Sequence, residues 1–277
     1  MLLKILRYLI HFFYKDGKIY KVLFGKNKGF KFIYRQDLNT DMILGMHEPN
    51  TFEVFNLFVK KGMIVVDIGA NIGYFTRYLS ECVGSSGQVF SFEPIPSTFE
   101  RLNESIQMNR LKNVQSIRAA VSNENTQVKM FLSHTHYMAS LDSAWAGKKG
   151  GEITVDAIRL DDFFKEKGIK PDFIKMDIEG GGVFALEGFR TLIETYEPIL
   201  FLESHTSEED RAIGNALKWK PYQVYRVGNS KEVKYFDRDF RDEYGVYGTL
   251  IGIPVSKMST YKDWSPIIFQ KKRLGQR

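Results

Sequence analysis

Apolar positions recur in two rhythms along this chain, and the switches between them outline an alternating α/β domain. Residues 62–68 form a short apolar run with an acidic end, residues 74–83 continue at helical spacing, and residues 88–92 form a second apolar run. Short continuous runs of this kind read as buried strands. Residues 97–108 are again helical in period and 114–121 read as a third strand, so the order β, α, β, α, β implies parallel strands joined by right-handed crossovers. The rhythm then breaks. Residues 127–132 and 153–158 both look like strands, and the polar, glycine-containing stretch 133–151 between them is long enough for a lid or substrate wall. Alternation resumes with a helix over 160–166, a strand over 173–176 ending at Asp177, and a helix over 183–196. A strand over 199–202 ends at Glu203, and a helix follows over 208–219. Runs at 223–227 and 249–254 have no helical signal between them, which predicts an antiparallel pair. The expected core is a seven-stranded, mostly parallel sheet with an antiparallel last strand.

Ahead of this domain, residues 18–34 read as short strands or a hairpin and 51–59 as a helix. At the very start, Leu2, Leu3, Ile5, Leu6, Leu9, Ile10 and Phe13 share one helical face, while Lys4, Arg7, His11 and Lys15 share the other. That amphipathic helix is too short and too charged to span a bilayer. It packs on the domain or a second subunit, or lies in a membrane interface. The division expected is an extension over 1–44, a catalytic domain over 45–256 and a tail over 257–277, in which Lys271-Lys272-Arg273 is a solvated end.

Composition narrows this little further. With 277 residues and 43% hydrophobic content the chain buries one large core. The net charge of +6 is spread over scattered basic residues rather than one tract, a weak argument for nucleic acid or an anionic membrane surface, and no nucleic-acid partner is expected. The single cysteine, Cys82, forms no intrachain disulfide, which suits a reducing, cytoplasmic setting, with the inner membrane face as a peripheral alternative.

The chemistry begins at Asp67-Ile68-Gly69-Ala70-Asn71-Ile72-Gly73. A strand, a glycine-spaced turn and a helix bring backbone N–H groups against a ligand, and glycine permits the approach. Glu93, some twenty residues on and directly before Pro94, stands at the end of the second strand, placed to accept hydrogen bonds from a ribose diol. A nicotinamide turn normally has an apolar residue where this chain has Asp67. An anion there disfavours a pyrophosphate and favours the cationic amino-acid end of S-adenosylmethionine, so methyl transfer leads hydride transfer. The bland alternative is a glycine turn with Asp67 capping the next helix.

A second acidic constellation, Asp177-Ile178-Glu179-Gly180 and Glu203-Ser204-His205, stands at the carboxyl ends of two strands expected to be neighbours, the edge where open α/β sheets bind ligands. Three acids and a histidine there suit acid-base chemistry. His205, with an ordinary pKa near ~6.5, is the candidate base. A Mg²⁺ held by Asp177 and Glu203 is the alternative. Each residue also has a structural reading, as a helix cap or a partner of its neighbour. On the loop, His134 and His136 are not read as a metal pair, and Tyr137 and Trp145 are candidates for an acceptor wall.

Taken together these stretches, with Ala119-Ala120-Val121-Ser122, Ile174-Lys175-Met176 and Pro198 onward, resemble the FkbM family of S-adenosylmethionine-dependent methyltransferases. The resemblance runs over about 45–254. It implies a Rossmann-like class I methyltransferase fold and O-methylation of a sugar, glycan or polyketide hydroxyl. It implies that Asp67, Gly69, Asn71 and Glu93 hold the cofactor and that Glu48 approaches the same pocket. Ala70, Gly73, Pro94 and Ser122, within the matching stretches, are grouped with them. The chain departs from the family at Gly181-Gly182, where members commonly carry an acid, and that weakens a metal more than a cofactor. The competing readings are a membrane-attached binding or scaffolding protein with a degraded site and, behind it, a nicotinamide-dependent oxidoreductase. A homo-oligomer is compatible with all three.

Overall fold

The computed structural model describes residues 10, 12–132, 139–140, 151–227 and 248–261. Most of the N-terminal helix expected over 1–15 lies outside these residues. So do His134, His136, Tyr137, Trp145 and the cluster at 271–273.

The extension forms a hairpin, β1 (Ile19–Lys21) antiparallel to β2 (Lys31–Ile33), then a short helix, α1 (Thr40–Leu44). Tyr20 and Phe32 face each other across the hairpin and join Tyr34, Ile43 and Leu44 in a small core that includes Ile72 of the glycine turn. Asn27, fully buried, donates to the Tyr74 carbonyl at 2.8 Å, and Asn109 bonds both backbone groups of Lys31. The extension is thereby fixed to the domain.

The domain begins with α2 (Pro49–Phe58), entered through Pro49 at its first turn. Then come β3 (Ile64–Ile68), α3 (Tyr74–Val83), β4 (Gln88–Phe92), α4 (Pro96–Asn109), β5 (Val114–Ile117), β6 (Ala120–Val121), β7 (Thr126–Leu132), β8 (Ala139–Ser140) and β9 (Glu152–Ile158). After them run α5 (Leu160–Lys167), β10 (Phe173–Met176), α6 (Gly182–Gly188), α7 (Arg190–Tyr196), β11 (Ile199–Ser204), α8 (Ser207–Ala216), β12 (Tyr222–Arg226), β13 (Gly248–Pro254) and a 3₁₀ helix (Val255–Tyr261). The main sheet has the order β12-β13-β11-β10-β3-β4-β5, with only β13 antiparallel to its neighbours. Its central strands are covered on both faces, which is why they are written as continuous apolar runs. One face packs on α2 and α3 through Phe52, Phe55, Phe58, Tyr78 and Leu79, the other on α5 to α8 through Phe164, Leu186, Phe189, Ile193 and Ile213.

Two expected elements are divided. The strand expected over 114–121 leaves the main sheet after Ile117, and Ala120-Val121 pairs in parallel with β9 in a second sheet of order β6-β9-β7-β8. The small residues at this crossing let Gly188 approach so closely that a Cβ there would overlap the Ser122 carbonyl. The helix expected over 183–196 breaks at Phe189, whose φ is −125°. Asp161, from α5, accepts from the N–H groups of Thr191 and Leu192 at 3.0 Å each and so caps α7 from outside. Such a cap has no local sequence signal.

Candidate active site

At the carboxyl edge of the main sheet, where β3 ends beside β4 and β10, a cavity of about 400 Å³ opens. Gly69 makes this edge possible. Its φ is +77°, and a Cβ there would overlap the Asp177 carbonyl oxygen, so only glycine keeps the end of β3 against the end of β10. The Phe92 carbonyl accepts from both Gly69 and Ala70 at 3.0 Å, which ties the turn to β4.

Glu93 sits 5% exposed on the wall, its two carboxylate oxygens accepting at 3.0 Å from the N–H groups of Asn71 and Ile95. Burial raises its pKa to about 7 against the lowering effect of those two bonds. Asn71, with φ +50°, takes the left-handed conformation that asparagine tolerates. Ala70, Pro94 and Glu48 also face the cavity. Glu48 lies 3.1 Å from His47 Nε2 and accepts from the Thr51 hydroxyl at 3.1 Å.

Three of the residues expected at the cofactor do not line the cavity. Asp67, fully buried, lies off the cavity wall: its Oδ2 accepts from the Thr76 hydroxyl at 2.7 Å and its Oδ1 is 3.1 Å from Lys175 Nζ. The charge expected to meet a cationic ligand is met by an internal lysine. Gly73 caps α3 with φ +84°, packed against Leu102, and Ser122 is buried near Gly188 and α6 while its neighbours Ala119 to Val121 line the cavity.

The second constellation does come together. Asp177, Glu203 and His205 each offer one ligand or proton-transfer atom within 4.8 Å of the others. His205 Nε2 is 3.5 Å from Asp177 Oδ1, and its Nδ1 is 3.6 Å from Glu179 Oε2. Burial works against the charged imidazole, but Asp177, Glu179 and Glu203 outweigh it and lift His205 well above its ordinary 6.5. Glu203 is raised by burial first and then by the nearby charges of Asp177 and Glu48. Asp177 goes the other way: despite burial, Lys175 and His205 hold it below the usual carboxylate range.

Two positioning groups have little local signal of their role. Lys175, in the middle of an apolar strand, reaches Asp67, Asp177 at 3.7 Å and the Gly69 carbonyl at 3.4 Å. Glu209, 2% exposed, accepts from the backbone N–H groups of Gly182 at 3.1 Å and His205 at 2.9 Å. A Cβ on Gly182 would come 3.1 Å from the Glu209 carboxylate, so Gly182 has a packing reason. Lys175 was visible only as a charge inside a strand pattern, and Glu209 only as one of three acids opening α8. Apolar cover comes from Phe75, Ile95 and Met130.

A mostly parallel sheet of this strand order, with its ligand cavity at the carboxyl edge beside the first βα turn, is the architecture of class I methyltransferases. The chain belongs to the methyltransferase FkbM domain family, which matches residues 67–229. Among curated proteins it is 24% identical over 161 residues to the hexuronic acid methyltransferase AglP of Haloferax volcanii, a match covering 56% of this chain and 61% of that one. It is 36% identical over 61 residues to the protein-L-isoaspartate O-methyltransferase of Methanothrix thermoacetophila, covering 22% of this chain and 29% of that one. The chain thus spans less than two thirds of either relative. A solved FkbM methyltransferase from Methylobacillus flagellatus superposes with a TM-score of 0.48 at 21% identity, over 69% of this chain and 43% of that one. The S-adenosylmethionine-dependent O-methyltransferase of Thermotoga maritima gives 0.43 at 14% identity, over 86% of this chain and 78% of that one. No helix among the described residues is long and apolar enough to cross a membrane.

Proposed function

We propose that this chain transfers a methyl group from S-adenosylmethionine to a hydroxyl oxygen of a sugar-like acceptor. The observation that carries the reading is the Asp177, Glu203 and His205 cluster facing the same cavity as the Glu93 and Asn71 turn. The residues fit the donor. A cavity of about 400 Å³ is of ligand size. With the pKa values of Glu93 and Glu203 raised by burial, Glu48, Asp177 and Glu179 still outnumber the charged His205 on the lining, a balance that suits a cationic ligand and opposes a pyrophosphate. Glu93, which lines the cavity beside the turn, is the group for a ribose diol. When bound, S-adenosylmethionine supplies an electrophilic methyl group on a positively charged sulfur.

The chain's own task is to orient the acceptor oxygen and take its proton. His205, charged at neutral pH between Asp177 and Glu179, must first shed a proton before it accepts another. Glu209 holds the His205 backbone and Lys175 fixes Asp177, so the base is presented from rigid strand ends. The sugar-like acceptor draws support from the relative named for hexuronic acid methylation. Isothermal titration with S-adenosylmethionine and S-adenosylhomocysteine tests the donor; folded protein that binds neither overturns it. A screen of hexuronic acid glycosides, neutral sugars and non-sugar alcohols, read by S-adenosylhomocysteine release, tests the acceptor.

A divalent cation is a second use of the same cluster, because three ligand atoms already converge within 4.8 Å. Full activity after exhaustive chelation would remove that reading and leave the proton-transfer role.

A further inference from the structure

We infer that the N-terminal extension, residues 12–31, docks on an anionic lipid surface and that the acceptor is presented there. The inference uses the methyl-transfer reading only for what the surface delivers; the docking stands on its own observations.

The first is charge. Residues 12–31 hold six lysines and one aspartate, so these twenty residues carry +5 of the chain's +6. Residues 271–277 add +4 outside the described residues, so it is among the described residues that the basic excess is concentrated on this folded unit. Lys15, Lys18, Lys21, Lys28 and Lys31 are exposed, and Lys26 leans toward Glu53 at 3.8 Å.

The second is exposed apolar surface on the same unit. Phe12 is 72% exposed, Phe13 64%, Ile19 60% and Phe24 55%, four of the seven large hydrophobic residues exposed among the described residues. Phenyl and isoleucine side chains have no hydrogen-bonding end to satisfy in water. Exposed lysines interspersed with exposed apolar side chains are the pattern of interfacial segments, because a lysine stem can lie along apolar surface while its ammonium stays in water. A polyanion read by paired hydrogen bonds would call for arginine, and residues 12–31 contain none.

The third is how the unit is held. Tyr14 stacks on Tyr20 with ring centroids 3.9 Å apart, which ties the turn carrying Phe12 and Phe13 to the hairpin carrying Ile19. At the other end, Gly25 and Gly45 lie backbone to backbone, so Phe24 is fixed beside the segment whose His47 and Glu48 line the cavity. Met46, in that segment, is also exposed. A lipid surface met by Phe24 and Met46 therefore lies next to the cavity wall, which suits an acceptor carried on the lipid.

Flotation of the full chain with vesicles tests this. With phosphatidylcholine containing about one third phosphatidylglycerol, the chain should float at least about tenfold more than with phosphatidylcholine alone, and less as salt rises. A Phe12→Ser, Phe13→Ser, Phe24→Ser variant and, separately, a Lys18→Gln, Lys21→Gln, Lys28→Gln variant should each lose most of that binding. Both should keep the melting temperature and donor affinity of the parent chain. No flotation of folded protein with anionic vesicles, or flotation unchanged in the lysine variant, overturns the proposal. So does a dimer in solution that the phenylalanine variant dissociates, which would make a second copy the occupant. Should the phenylalanine variant misfold, the lysine variant decides alone. Absence of donor binding in the parent chain would instead sink the methyl-transfer reading and leave lipid binding measurable.

Discussion

Lys175 Nζ lies 3.1 Å from Asp67 Oδ1, with side chains 2% and 0% exposed, in the floor beneath the cavity. Burial alone pushes the lysine toward its neutral form, but Asp67 and then Asp177 outweigh it and hold the ammonium charged. One cation thereby joins the strand that bears the glycine turn to the strand that bears the acid-base cluster. The pair is weak evidence for net stability, yet breaking it leaves a buried charge without its partner.

Replacing Lys175 with Met should cost about 3 to 5 kcal/mol, because Asp67 would then keep only the Thr76 hydroxyl. Adding Asp67→Asn should restore most of the loss, since the fully buried charge is then gone and Asp177 still faces His205. Urea denaturation of the single and double variants measures both. A single variant within about 1 kcal/mol of the parent would show that Asp67 does not depend on the lysine.

Gly69→Ala should destabilise the fold by at least about 2 kcal/mol and abolish donor binding. The new methyl group would overlap the Asp177 carbonyl, and the left-handed backbone at +77° adds strain. Thermal denaturation and calorimetric titration give the two readouts, and a stable, binding-competent variant would contradict the close approach of β3 and β10.

The turnover rate should rise with pH above neutrality, because His205 is raised above 6.5 and must lose its proton before it takes the acceptor's. The sign for stability is opposite. A histidine with a raised folded pKa contributes stability fully present below about 6.5 and lost as pH rises through its folded value. His205→Gln should remove both trends, while donor affinity stays within about threefold. Rate profiles and imidazole titration by NMR measure them, and a flat profile in the parent chain would dismiss His205 as the base.

Glu93→Gln should weaken donor binding about tenfold or more. A carboxylate accepts from both Asn71 and Ile95, whereas an amide has one accepting oxygen and turns an NH₂ group toward the other donor. Glu93→Asp keeps both acceptors on a shorter stem and should lose less. Titration calorimetry of the two variants orders them; equal affinity for parent and Gln variant would remove Glu93 from the donor site.

The strand and helix order was legible from residue pattern because buried parallel strands are written as short apolar runs. The carboxyl-edge acids were legible because they terminate those runs. Most of the amphipathic helix proposed for residues 1–15, and the loop aromatics Tyr137 and Trp145, lie outside the described residues. Where pattern reading went astray, the cause was contact between segments distant in sequence. Ser122 belongs to the turn that lets Gly188 close on β6, and Phe189 interrupts an otherwise continuous helical period because Asp161 caps the next helix.

What the chain's order of residues determined by itself was the βα alternation, the glycine turn and the pairing of Asp177 with Glu203 and His205 at one sheet edge. These follow from local periodicity and from strand ends, properties a linear string carries. Tertiary structure alone decided that Asp67 is paired with Lys175 off the cavity wall, that Glu209 holds His205, and that the extension contributes Asn39 and Met42 to the cavity lining. Each of those depends on how deeply a charge is buried and which distant segment meets it, and burial is settled only when the layers pack.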